Sequence, residues 1–183
     1  MRFTTLLLVI GLTAPSAFAS DPPFGTHRFE DYPARVYQGQ FAKPDFVHGR
    51  QYRFYRTRLR EGSRAGVNFG GLYSIVTIGC GTDCASYYAV DLRSGKISRF
   101  PIGGEYNDEA HQEPIVLAPY LTGQKNSRLL KAWWVYRQKD GASICRQGEF
   151  LFDGKLFRQI WQNEMSGDCP QDVDHRFPQP SEK

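Results

Sequence analysis

The sequence has little of the material from which metal and catalytic sites are built. Its 183 residues include four histidines, four cysteines and two methionines, and these are scattered rather than gathered. No Gly-x-Ser-x-Gly elbow, His-Glu-x-x-His helix or Gly-rich phosphate loop occurs, which argues against the common hydrolases, zinc proteases and nucleotide enzymes. Asp108, Glu109, His111 and Glu113 form the one dense run of potential ligands, but without the alternating Asp/Asn spacing of a calcium loop. They are read as an exposed acidic loop, and no metal and no cofactor are expected. A large charge surplus is also missing. The net charge is +4, one unit of it from Arg2, far below the footprint of a nucleic-acid binder, so no nucleic acid is expected as partner. No apolar run reaches the ~20 residues that a membrane-crossing helix needs, so no stable membrane span is expected.

What is present begins with an export signal. Arg2 supplies the positive charge, Leu6 to Leu12 the apolar stretch, Pro15 the break, and Ala17-Phe18-Ala19 the small-x-small pattern that signal peptidase accepts. Residues 1–19 are read as a cleaved signal peptide and the protein as periplasmic or secreted. In that oxidising setting the even set Cys80, Cys84, Cys145 and Cys169 implies disulfides. Three pairings are possible, and proximity favours Cys80–Cys84 with Cys145–Cys169.

Behind the leader the chain divides into an extended arm (20–49), rich in Pro and aromatic residues, an antiparallel β-rich domain (50–169), and a flexible tail (170–183). Within the arm, Ala34–Tyr37 reads as a short strand. Residues 50–64 are the one candidate helix: Tyr52, Tyr55 and Leu59 share a face, and Gly62 and Gly66 are expected to stop it. The period then changes to two. Strands are expected at Leu72–Ile78, Ala85–Asp91, Lys96–Phe100, Ile115–Leu117, Arg128–Tyr136, Phe150–Phe152 and Leu156–Gln162, with the last hairpin turning at Asp153-Gly154. The fold class is mainly β (α+β): a single antiparallel β-meander with one N-terminal-side helix, stapled by disulfides.

Three features could carry binding. Arg53, Arg56, Arg60 and Arg64 fall on one helical face, a candidate anion contact for phosphate, carboxylate or lipid headgroups, or simply a solvated face. The Cys80-Gly81-Thr82-Asp83-Cys84 loop would be a braced turn whose Thr82 and Asp83 could meet a partner at little entropic cost. Tyr87-Tyr88 and Trp133-Trp134 are adjacent pairs on strands. One member of each must point away from the core, which would give a flat aromatic surface unless the arm covers it.

The runs Asn68-Phe69-Gly70-Gly71-Leu72-Tyr73, Gly79-Cys80-Gly81-Thr82-Asp83-Cys84 and Asp91-Leu92-Arg93-Ser94-Gly95-Lys96 resemble a family of small exported bacterial proteins marked by N-F-x-G-x-Y, G-C-G-x-x-C and D-x-x-[ST]-G-K. That resemblance spans about residues 55–130 and implies fold and compartment, with no activity attached. The order strand, Cys-x-x-x-Cys loop, strand is more loosely similar to periplasmic inhibitors of vertebrate-type lysozyme, which plug the enzyme's cleft with that loop. Their loop carries a basic-Pro-His-Asp run, of which only Asp83 is matched here. The expected function is non-catalytic binding of a protein or cell-envelope component. Inhibition of a peptidoglycan-cleaving enzyme through the loop is the second reading, and an unidentified hydrolase the third.

Overall fold

A computed structural model describes residues 25, 27–81, 84–102, 115–137, 140–167 and 169, with 84, 115–119 and 137 traced by backbone alone. A 3-10 helix (Arg50–Tyr55) leads directly into α1 (Arg56–Arg64). Seven strands follow: β1 (Tyr73–Gly81), β2 (Cys84–Asp91), β3 (Ile97–Arg99), β4 (Ile115–Gly123), β5 (Leu129–Arg137), β6 (Ser143–Phe152) and β7 (Phe157–Ser166). Every pairing is antiparallel. The protein is thus mainly β; among the described residues the helical parts are the continuous 50–64 segment and a single 3-10 turn at Phe29–Asp31 in the arm.

The meander is broken once: β1-β2-β3 form one sheet and β4-β5-β6-β7 another. Side-chain alternation assigns their faces. Ile75, Tyr87 and Ala89 meet Leu130, Ala132, Trp134, Phe150 and Phe152 in a core shared by both sheets. The intervening Val76, Tyr88 and Val90 turn to the opposite face, where Leu59 of α1 and Tyr52 and Tyr55 of the 3-10 helix cover them. Each such side chain contributes about 1.5–3 kcal/mol when fully buried. On the far side of the second sheet, Trp133, Val135 and Cys145 gather with Tyr120 and Cys169.

The helix over 50–64 changes type at Arg56 for a packing reason. In a 3-10 helix residues i and i+3 eclipse, so Tyr52 and Tyr55 both reach the ring of Tyr88, at centroid distances of 5.6 and 5.4 Å. From there the α period carries Leu59 onto the same sheet. Gly62 does not end the helix as expected. It lies inside α1, where a Cβ would meet Val76 at 2.5 Å, and only Gly66, at φ 97°, turns the chain away.

Several boundaries differ from expectation, among them the ends of β1, which runs to Gly81 rather than Ile78, and of β7, which runs to Ser166 rather than Gln162. Ala34–Tyr37 is no strand; its backbone makes single contacts, Pro33 bridging Ser127 and the Tyr37 N–H donating to the Gly71 carbonyl. β4 runs to Gly123, beyond Leu117. β6 starts at Ser143 rather than at Phe150, because Gln147 and Glu149, polar residues that mask a strand pattern, are themselves buried.

Residues 27–49 strap both sheets. Ser127 Oγ contacts the carbonyls of Phe29 (2.7 Å) and Tyr32 (3.2 Å) at the second sheet, while the N–H groups of Ala42 and Asp45 donate to Leu92 and Gly95 at the first. Gly71 (φ 74°) and Gly95 (φ 79°) let the strap come this close: a Cβ on either would overlap the carbonyl of Arg35 or Lys43. The Cys145–Cys169 bond is formed across 24 residues of sequence, a loop length for which chain entropy gives about 3 kcal/mol.

Candidate functional site

The arm and α1 enclose a groove of about 580 Å³, lined by Phe41, Ala42, Lys43, Pro44, Arg60, Ser63 and Arg64. That is the size of a small-molecule site. Three of the seven lining residues are cationic and none is acidic. Ser63 is buried and its Oγ donates to the Arg60 carbonyl at 3.1 Å, so the floor is fixed by the helix itself. Arg60 also places its guanidinium 5.4 Å from the Phe46 ring centroid, a cation–π contact that orients it from the arm side. An anion entering here would find charge from both walls without meeting a carboxylate.

The four arginines expected to act as one stripe are divided. Arg60 and Arg64 line the groove, whereas Arg53 donates its Nε to the Phe46 carbonyl at 3.1 Å. Arg56 begins α1, is exposed, and makes no ion pair among the described residues. Lys43 and Phe41 belong to the groove but carry no sequence signal, since the arm that brings them has no periodicity. Beside this groove, Asp45 accepts from His48 and from the Val47 N–H, and the His48 contact first of all holds its carboxyl below the ordinary value.

The Cys80–Cys84 segment closes the β1-β2 hairpin, with Gly81 paired to Cys84 and Gly79, Cys80 and Gly81 all exposed. Cys80 is disulfide-bonded. Thr82, Asp83 and the Cys84 side chain lie outside the described residues, as do Asp108, Glu109, His111 and Glu113.

The expected aromatic surface is absent. Tyr87, Tyr88, Trp133 and Trp134 are exposed by only 6, 2, 0 and 5%. Tyr87 and Trp134 enter the core between the sheets, Tyr88 lies under the helical layer, and Trp133 stacks on Tyr120 at 5.5 Å. A strand in a two-sheet sandwich with a helix on one side and a strap on the other has both faces covered, so the alternation rule alone misleads here.

A polar arrangement invisible in sequence lies on the outer face of the second sheet. Lys131 and Glu149 are cross-strand partners, both buried, with Nζ 2.9 Å from Oε1. At that separation the contact is a close ion pair, of the length usual for a charge-assisted hydrogen bond. Glu149 Oε2 meets His27 Nδ1 at 2.5 Å, and Lys131 Nζ lies 5.6 Å from the Phe29 ring centroid. No group of three or more potential metal ligands exists among the described residues. No helix among these residues is long and apolar enough to cross a membrane. Comparison with protein-family models, curated proteins and solved structures yields no match.

Proposed function

We propose that the protein is an exported, non-catalytic binding component of the cell envelope whose Lys43–Arg60–Arg64 groove receives a phosphate or carboxylate group. The groove's lining carries this reading: three cations from two separate segments converge with no acid among them. A cation near a helix C-terminus is favoured by the helix dipole, which accounts for Arg64 alone. It does not account for Lys43, supplied by the arm. The Cys145–Cys169 bond fits an oxidising compartment. Titration of the oxidised mature chain with inorganic pyrophosphate and with citrate, followed by amide NMR, tests the proposal. Saturable shifts at residues 41–44 and 60–64 are expected, and they should vanish in Arg60→Glu/Arg64→Glu. Shifts that survive that variant, or an absence of shifts, would refute the groove.

One observation favours a second reading. The end of β1, Gly79 to Gly81, is exposed and disulfide-bonded at Cys80, which suits a braced plug for a lysozyme-type cleft. Stoichiometric inhibition of such an enzyme, lost on Asp83→Ala, would put this reading first.

A further inference from the structure

The 3-10 helix presents a second surface, and it is distinct from the groove. With three residues per turn, Tyr52 and Tyr55 point inward to Tyr88, Arg50, Arg53 and Arg56 form a second edge, and Phe54 is left pointing to solvent. Phe54 is 90% exposed, the most exposed large apolar side chain among the described residues, and Val47 in the arm is 67% exposed. The Arg53 bond to the Phe46 carbonyl ties these two segments together. Phe54 is not on a loose loop: its ring stands edge-on to Tyr55 at 5.2 Å, and Tyr55 is itself packed on Tyr88. The backbone therefore holds an apolar ring out in water within a segment, residues 50–64, that contains six arginines and one glutamate.

We propose that this surface docks the protein on a bilayer carrying anionic headgroups, with Phe54 and Val47 entering the interface and Arg50, Arg53 and Arg56 meeting phosphates. Charge and size select this occupant. Single exposed apolar residues are ordinary on protein surfaces. Leu156, 70% exposed, is such a case: its turn is closed on the Asp153 carboxylate, so that surface carries mixed charge. Within residues 50–64, around Phe54, the charge is almost all of one sign, six arginines against Glu61, whereas the arm brings the Asp45 carboxylate to the Val47 N–H, where His48 also bonds it. Two apolar side chains are too few for the core of a stable protein interface, which buries about 800 Å² on each partner. A bilayer asks for less. Each arginine near an anionic surface strengthens partitioning on the order of fivefold, and burying one Phe adds on the order of tenfold or more.

The test is flotation of the oxidised mature protein with vesicles of phosphatidylcholine alone and of phosphatidylcholine mixed with phosphatidylglycerol. Binding is expected to the anionic vesicles only and to weaken with added salt. Phe54→Ser should reduce it on the order of tenfold and Arg50→Gln/Arg56→Gln more than that, with melting temperatures unchanged because all three side chains are exposed. Pyrophosphate binding in the groove should survive Phe54→Ser, which separates this proposal from the groove reading. Equal binding to neutral vesicles, no binding, or full binding by Phe54→Ser would each overturn it. So would loss of vesicle binding in Arg60→Glu/Arg64→Glu with Phe54→Ser intact, since the headgroup would then sit in the groove. Self-association that depends on Phe54 without vesicle binding would identify a second copy as the occupant instead.

Discussion

The two faces of the molecule treat charge in opposite ways. On the outer face of the second sheet, Lys131 and Glu149 are buried, each neutralising the other, with His27 and Phe29 of the arm laid over them. On the helical side, Arg56, Arg60 and Arg64 stand exposed with no ion pair among the described residues. The difference follows from what covers each face. A covered charge must find a partner, because an uncompensated one is strongly unfavourable away from water. An exposed charge needs none, and is therefore free to meet something else. Buried pairs belong to the fold, and the unpaired exposed set is where binding is to be sought.

The comparison breaks first at Glu149. Glu149→Gln should leave the Lys131 ammonium without its counter-charge and lower unfolding free energy by about 3–5 kcal/mol, measured by denaturant titration. Replacing both partners with Lys131→Met/Glu149→Leu should recover most of that loss, since a well-packed apolar pair avoids desolvating two ions. If the single variant unfolds like the parent, the pair is not neutralising a buried charge and the contrast between the faces fails.

Tyr87 sharpens the same argument with a group that burial keeps neutral. Desolvation between the sheets, with a smaller push from Tyr120 and an opposing backbone hydrogen bond from Leu121, raises its hydroxyl from 10.0 to about 12. The folded value is the higher one. Its contribution to stability is thus complete below pH 10 and disappears as the pH rises towards 12. Denaturation followed across that window should show falling stability, and the fall should be shallower in Tyr87→Phe. An equally steep fall in Tyr87→Phe would show that another group titrates.

The smallest effect is expected on the open face. Arg56→Gln and Arg64→Gln should each change stability by less than about 0.5 kcal/mol, while Arg64→Gln weakens pyrophosphate in the groove. A larger loss of stability would mean that these arginines serve the fold after all.

Much of the architecture could be read from the chain. The change from helical to period-two spacing after Gly66 marks the boundary between α1 and the strands, and Tyr52, Tyr55 and Leu59 do share one buried face. The Asp153-Gly154 turn lies between β6 and β7, closed by Asp153 accepting the N–H groups of Lys155 (2.8 Å) and Leu156 (2.9 Å). Those bonds also hold its carboxyl below the ordinary value. β6 was legible only at its end, because Cys145, Gln147 and Glu149 read as a polar loop until their partners on β5 are known. The candidate site was half legible: a row of arginines is visible as spacing, but its division into a groove pair and a pinned Arg53 is not.

The sequence by itself determined the strand-rich class, the helical face that meets the first sheet, and the cysteines that staple the second. Each of these depends on local periodicity or composition, which a linear chain displays. Only the tertiary structure decided that Tyr88 and Trp133 are covered rather than offered, and that Lys43 faces Arg60 and Arg64. It also decided that Phe54 alone of its aromatic neighbours looks outward. Exposure is a property of what lies on top of a residue, and that is set by segments far away in the sequence.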